Sequence, residues 1–93
     1  MIHARTDYQT RIQDSDNKIP ADEPVFFIRA QDKTGAATVR FWVREQKKLL
    51  AADRKANGGK PVESEAGRKK AIALAEAHAF RMDDWPKKKA ADA

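Results

Sequence analysis

The sequence predicts an α+β fold in which a short two-stranded β-sheet packs on an antiparallel two-helix hairpin. Three observations carry this: an apolar run at Val25-Phe26-Phe27-Ile28, two stretches with helical periodicity, and a Gly58-Gly59 connection between them. With 93 residues the chain is one domain, because two separate cores would each be too small to fold without metal or disulfides.

The first expected strand covers residues 8–13, where Tyr8-Gln9-Thr10-Arg11-Ile12-Gln13 alternates larger side chains with polar ones at period two. Asp14 to Lys18 then reads as a turn, and Pro20 and Pro24 frame a loop. The second expected strand, residues 24–29, holds the apolar run and reads as the core strand, buried on both faces. Asp32 or Thr34 is placed to cap a helix over residues 36–56, which ends at Asn57-Gly58-Gly59 with Pro61 just beyond. On its wheel Val39, Trp42, Val43, Gln46 and Leu50 share one face. A second helix is expected over residues 64–84, capped by Ser64 and ended by Trp85-Pro86. Its packing face is expected to hold Ala71, Leu74, Ala75, His78, Met82 and Trp85, and its alanines permit close approach of a neighbour. The tail over residues 87–93 is expected to fray.

Hydrophobic residues at 41% and charged residues at 35% indicate a globular, charge-rich chain with a thin core, for which self-association is a way to cover apolar area. The absence of cysteine excludes disulfides, thiol nucleophiles and thiolate metal sites, and fits a reducing cytoplasm. No signal-peptide core or membrane-spanning run is apparent, so a cytoplasmic protein without membrane contact is expected.

Site chemistries that the residues suggest fail on inspection. Asp14, Asp16 and Lys18 resemble a calcium loop, but Lys18, Ile19 and Val25 stand where an oxygen ligand, a glycine and a glutamate are required. Gly58-Gly59-Lys60 lacks the upstream glycine and the following Ser or Thr of a phosphate loop. The two histidines, His3 and His78, lie far apart, and Asp83-Asp84 sits at a helix end where neither carboxylate would be desolvated. No cofactor, metal or catalytic residue is expected, and the chain is not read as an enzyme. The Lys87-Lys88-Lys89 run reads as a solvated tail.

The net charge of +5 is uneven: residues 33–60 hold eight Lys or Arg against two acids, whereas residues 1–32 hold four against six. Arg40, Arg44, Lys47 and Lys48 fall on one flank of the first long helix with Phe41 beside them. Guanidinium forks there would meet phosphate oxygens while the ring stacks on a base. Arg29, leaving the apolar strand in phase with Val25 and Phe27, is expected at the mouth of a site or in an internal ion pair with Asp32 or Asp22. These residues point to a nucleotide or nucleic acid as an anionic ligand. The second reading is an acidic protein partner engaged by Phe41, Trp42 and Trp85 as anchors.

The sequence Pro24-Val25-Phe26-Phe27-Ile28-Arg29-Ala30-Gln31-Asp32, followed by Val39-Arg40-Phe41-Trp42 and by Met82-Asp83-Asp84-Trp85, resembles a loose group of small phage-encoded proteins over residues 24–92. The resemblance implies a phage or prophage origin; phage genes of this size often encode accessory proteins that act by binding, blocking a host defence protein, sequestering a small signal or coating nucleic acid, and a homo-oligomeric state is expected beside it.

Overall fold

The computed structural model describes residues 1–90. Its elements run β1 (Ile2–His3), α1 (Tyr8–Arg11), β2 (Pro24–Val25), α2 (Gly35–Ala56) and α3 (Glu65–Asp84). The two strands pair in parallel, Ile2 with Pro24 and His3 with Val25, and the two long helices form the antiparallel hairpin. The α+β class and the hairpin are therefore as the sequence predicts. No helix is long and apolar enough, among the described residues, to cross a membrane.

The N-terminal strand lies elsewhere than expected. Residues 8–13 do not form a strand: Tyr8–Arg11 is a helical turn, closed where the Ile12 amide donates to the Tyr8 carbonyl at 3.0 Å. Asp7 ahead of it accepts from both Arg5 and Arg11 and gathers the turn around itself. The alternation seen in sequence instead serves the helical turn, with Tyr8 buried beneath the Arg5 guanidinium, 4.5 Å from its ring centroid. His3 and Phe27 both meet the Tyr8 ring edge-to-face, which ties the N-terminal segment to the chain after β2.

The second strand also differs. Only Pro24–Val25 pairs, and the apolar run is not a core strand buried on both faces: Phe26 is 76% exposed and Phe27 41%. A two-residue partner strand gives the run nothing to pair with beyond Val25. The turn from Asp14 to Lys18 behaves as read, with Asn17 at φ 55° and the Ile19 amide donating to the Asp14 carboxylate at 2.6 Å.

The long helices start and stop within a residue of their sequence signals. Gly58 and Gly59, at φ 68° and 80°, supply the left-handed turn that leaves α2, and Asn57 holds it by donating from Nδ2 to the carbonyls of Lys60 and Pro61. Val43 and Leu50 on α2 pack with Ile72 on α3, Ala75 closes over them, and Ala79 is fully buried at the contact. The packing face of α3 is thus turned from the one expected. Ile72, Ala79 and Met82 face α2, while Leu74, His78 and Trp85 are exposed and Ala71 with them. The alanines at 71, 73, 75, 77 and 79 blur the phase, because no bulky residue marks one side.

The chain just after α3 is docked rather than frayed. Lys89 bridges to the segment ahead of α2, its amide donating to the Gln31 carbonyl and its carbonyl accepting from the Lys33 amide at 2.8 Å. The Lys88 ammonium donates to the carbonyls of Ala30 and Met82, and so caps the C-terminal end of α3. Residues 91–93 of the expected tail lie outside the described residues.

Gly35 opens α2 against the segment leaving β2, and a Cβ there would stand 2.8 Å from the Arg29 carbonyl oxygen. Gly35→Ala ordinarily gains about 0.5–1 kcal/mol from helix propensity. Here the backbone contact reverses the sign, and urea denaturation is expected to show a loss of about 1–3 kcal/mol; a gain would mean that the segment before α2 yields freely.

Candidate interaction faces of the helical hairpin

The hairpin has two broad sides, because each helix touches only one neighbour. One side is built on ion pairs across the seam. Arg40 donates to Asp83, Nη1 reaching Oδ1 at 3.3 Å, and Lys47 pairs with Glu76. Arg54 approaches Glu65 at 3.9 Å, with Lys69 on the same carboxylate at 3.7 Å. Positions 40, 47 and 54 recur every seven residues and therefore lie along one line facing α3. Lys48 turns to Glu45 on its own helix at 3.2 Å.

This pairing corrects the picture of an unneutralised basic stripe. Arg40, Arg44, Lys47 and Lys48 do share one flank of α2, but three of the four face carboxylates. Within α2 the acids Glu45 and Asp53 are too few to balance the stripe. Asp83 and Glu76 come from α3, brought alongside by the antiparallel register. The hydrogen bonds from Arg40, and its charge beside them, hold the Asp83 carboxyl below its ordinary value and raise Arg40 above its own.

Two exposed phenylalanines stand among these charges. Phe41, 55% exposed, lies under the Arg44 guanidinium at 5.8 Å, and Phe80, 66% exposed, lies under that of Arg40 at 5.1 Å. The register that joins Arg40 to Asp83 and Lys47 to Glu76 puts Phe80 opposite Val43, two residues along α2 from Phe41. No carboxylate pairs with Arg44 among the described residues. Phe80 is the member of this cluster that the sequence reading missed. Arg40 at one end and Asp83 three residues beyond Phe80 were each legible, but the link between helices was not.

Arg29, the sixth residue expected at the site, is elsewhere. It lines a cleft of about 440 Å³ with Phe27, Val39, His78, Met82 and Trp85, and none of the stripe residues borders it. Trp85 and Arg29 thus meet as neighbours at one end of the molecule, whereas Phe41 does not join them. Trp42, 43% exposed, and Trp85, 48% exposed, are open to solvent, as partner-binding anchors would have to be. No family model, curated protein or solved structure matches the chain.

The depressed Asp83 carboxyl makes a pH-dependent contribution to stability. A group whose folded value is lowered stabilises fully above its unfolded value of 3.8 and loses that contribution as pH falls through the folded value. Asp83→Asn should therefore lower the melting temperature at neutral pH, with the gap from the parent protein closing as pH drops below 3.8. A gap that persists unchanged in acid would show that Asp83 acts through packing rather than charge.

Proposed function

We propose that the chain is a non-enzymatic protein-binding module whose Phe41–Phe80 face engages an apolar surface rimmed by carboxylates. The observation that carries this reading is two exposed rings, each flanked by a guanidinium, on a side of the hairpin where most cations already have carboxylate partners. Aromatic side chains beside arginine are the groups that dominate binding energy at protein interfaces. Ion-paired lysines and arginines still steer an acidic partner through the net charge of +5.

Capture of a nucleotide or nucleic acid by Arg29, Arg40, Phe41, Arg44, Lys47 and Lys48 is the weaker reading. A phosphate would have to displace Asp83 from Arg40, Glu76 from Lys47 and Glu45 from Lys48, and Arg29 stands at a different site. What favours it is Arg44 over Phe41, a stacking platform for a base. A role in countering a host protein, suggested by the resemblance to small phage-encoded proteins, fits the protein-binding reading.

Salt-titrated binding separates the two. Single-stranded and duplex nucleic acids of about 20 nucleotides, at about 50 mM salt, should not bind the protein, and a nucleotide panel should leave its melting temperature unchanged. A host protein captured by the parent chain should be lost with the Phe41→Ala/Phe80→Ala double variant, by about tenfold or more in affinity for two interface anchors of over 1 kcal/mol each. Nucleic-acid affinity that falls linearly in log–log with salt, and that disappears with Arg44→Glu, would overturn the proposal.

A further inference from the structure

The sheet has two strands of two residues each, so β1 and β2 each keep one edge without a neighbouring strand. The chain runs on past β2 through Phe26, Phe27 and Ile28, whose amides and carbonyls have no hydrogen-bond partner among the described residues. A ladder alternates its backbone groups between the two edges of a strand. The Glu23 carbonyl accepts from the Ile2 amide at 2.8 Å, and Val25 pairs with His3, so Glu23 and Val25 face β1. Pro24, Phe26 and Ile28 therefore offer their backbone groups to the free edge. Phe26, at 76%, is the most exposed large apolar side chain among the described residues. An unpaired edge of apolar, β-favouring residues is a template for another strand.

We infer that this edge pairs with the same edge of a second copy, antiparallel and centred on Phe26, which joins two two-stranded sheets into one with the order β1, β2, β2, β1. What selects a copy as the occupant is that the segment is complementary to itself. About Phe26, Val25 lies opposite Phe27, Pro24 opposite Ile28 and Glu23 opposite Arg29. Residues 24–28 carry no formal charge, and unlike charges meet at both ends of the register. An in-register parallel pairing would instead set Glu23 beside Glu23 and Arg29 beside Arg29. Arg29 gains a carboxylate beside it in this register and gives up none of the contacts it already makes. The proline also falls where it does no harm: Pro24 has no amide, but its carbonyl is free to accept from the Ile28 amide of the other copy, while the two copies of Phe26 exchange both of their backbone bonds.

The pairing is isologous, and it enlarges a sheet that is too short to hold by itself. It is independent of the proposed function, because Phe41 and Phe80 lie on the helical hairpin and not on the sheet.

Sedimentation equilibrium on the full chain tests it. At about 0.5 mM, where a small transient interface is populated, the mass should approach twice 10.5 kDa. Phe26→Pro removes the central donor and should return the mass to that of a single chain. The helical circular dichroism should not change, since Phe26 is exposed and its amide has no partner within the protomer. Should Phe26→Pro lose helical signal, Phe26→Lys, which sets like charges opposite each other at the centre, takes its place. Glu23→Lys sets cations opposite each other at both ends and should weaken the dimer by about fivefold. Phe80→Glu, on the hairpin, should leave it intact. A parent chain that sediments at a single-chain mass would overturn the inference. So would a dimer that survives Phe26→Pro and Phe26→Lys, is indifferent to Glu23→Lys, or is broken by Phe80→Glu.

Discussion

The contact of Val43 and Leu50 with Ile72 and Ala79 fixes how the two long helices sit, and the positions of nearly all the charged side chains follow from it. Burying a large aliphatic side chain contributes about 1.5–3 kcal/mol, whereas an exposed pair such as Lys47–Glu76 contributes about 0.2–1 kcal/mol. Packing therefore holds the hairpin together, and the ion pairs add selectivity. With the small Ala79 fully buried, α3 lies near enough for Arg40 and Lys47 to reach acids on the neighbouring helix. Like charges brought together by a slipped register would oppose any other arrangement.

A hairpin of two helices is a single layer, and this one has little beneath it. Among the described residues no large side chain is fully buried, and nine large apolar side chains are more than two-fifths exposed. Surface of that extent is what the proposed partner would have to cover in part. The two sides differ in chemistry. Phe41 and Phe80 stand beside arginines, and Trp42, Leu49 and Leu74 lie on the side where Arg68 pairs with Asp53 at 2.7 Å.

Much of the hairpin was legible in the sequence because its signals are local. Gly58-Gly59 ends α2, Trp85-Pro86 ends α3, and Val43 and Leu50 mark the inner face of α2. What was not legible depends on partners distant in the chain. Tyr8–Arg11 has the alternation of a strand but forms a helical turn, since Asp7 draws Arg5 and Arg11 together and Tyr8 is buried against His3 and Phe27. The alanine-rich α3 gives no bulky residue to set its phase, so its spacing points Leu74 and His78 inward although both are exposed. The candidate site divides in the same way. A wheel places Arg40, Arg44, Lys47 and Lys48 on one flank correctly, but it is blind to Asp83 and Glu76, which lie 43 and 29 residues on in sequence. Arg29 was expected at the mouth of a site and does line a cleft, though not the one formed by the stripe.

Arg40, Lys47 and Arg54 of α2 are held for the hairpin by acids of α3. Exchanging one pair tests this most directly, by comparing thermal unfolding of Lys47→Glu, Glu76→Lys and the two changes combined. Each single reversal puts like charges together across the seam and should lower the melting temperature, and the combined variant should recover most of the loss. Additive losses, or single reversals that unfold like the parent chain, would contradict the account and return those lysines to an external anion.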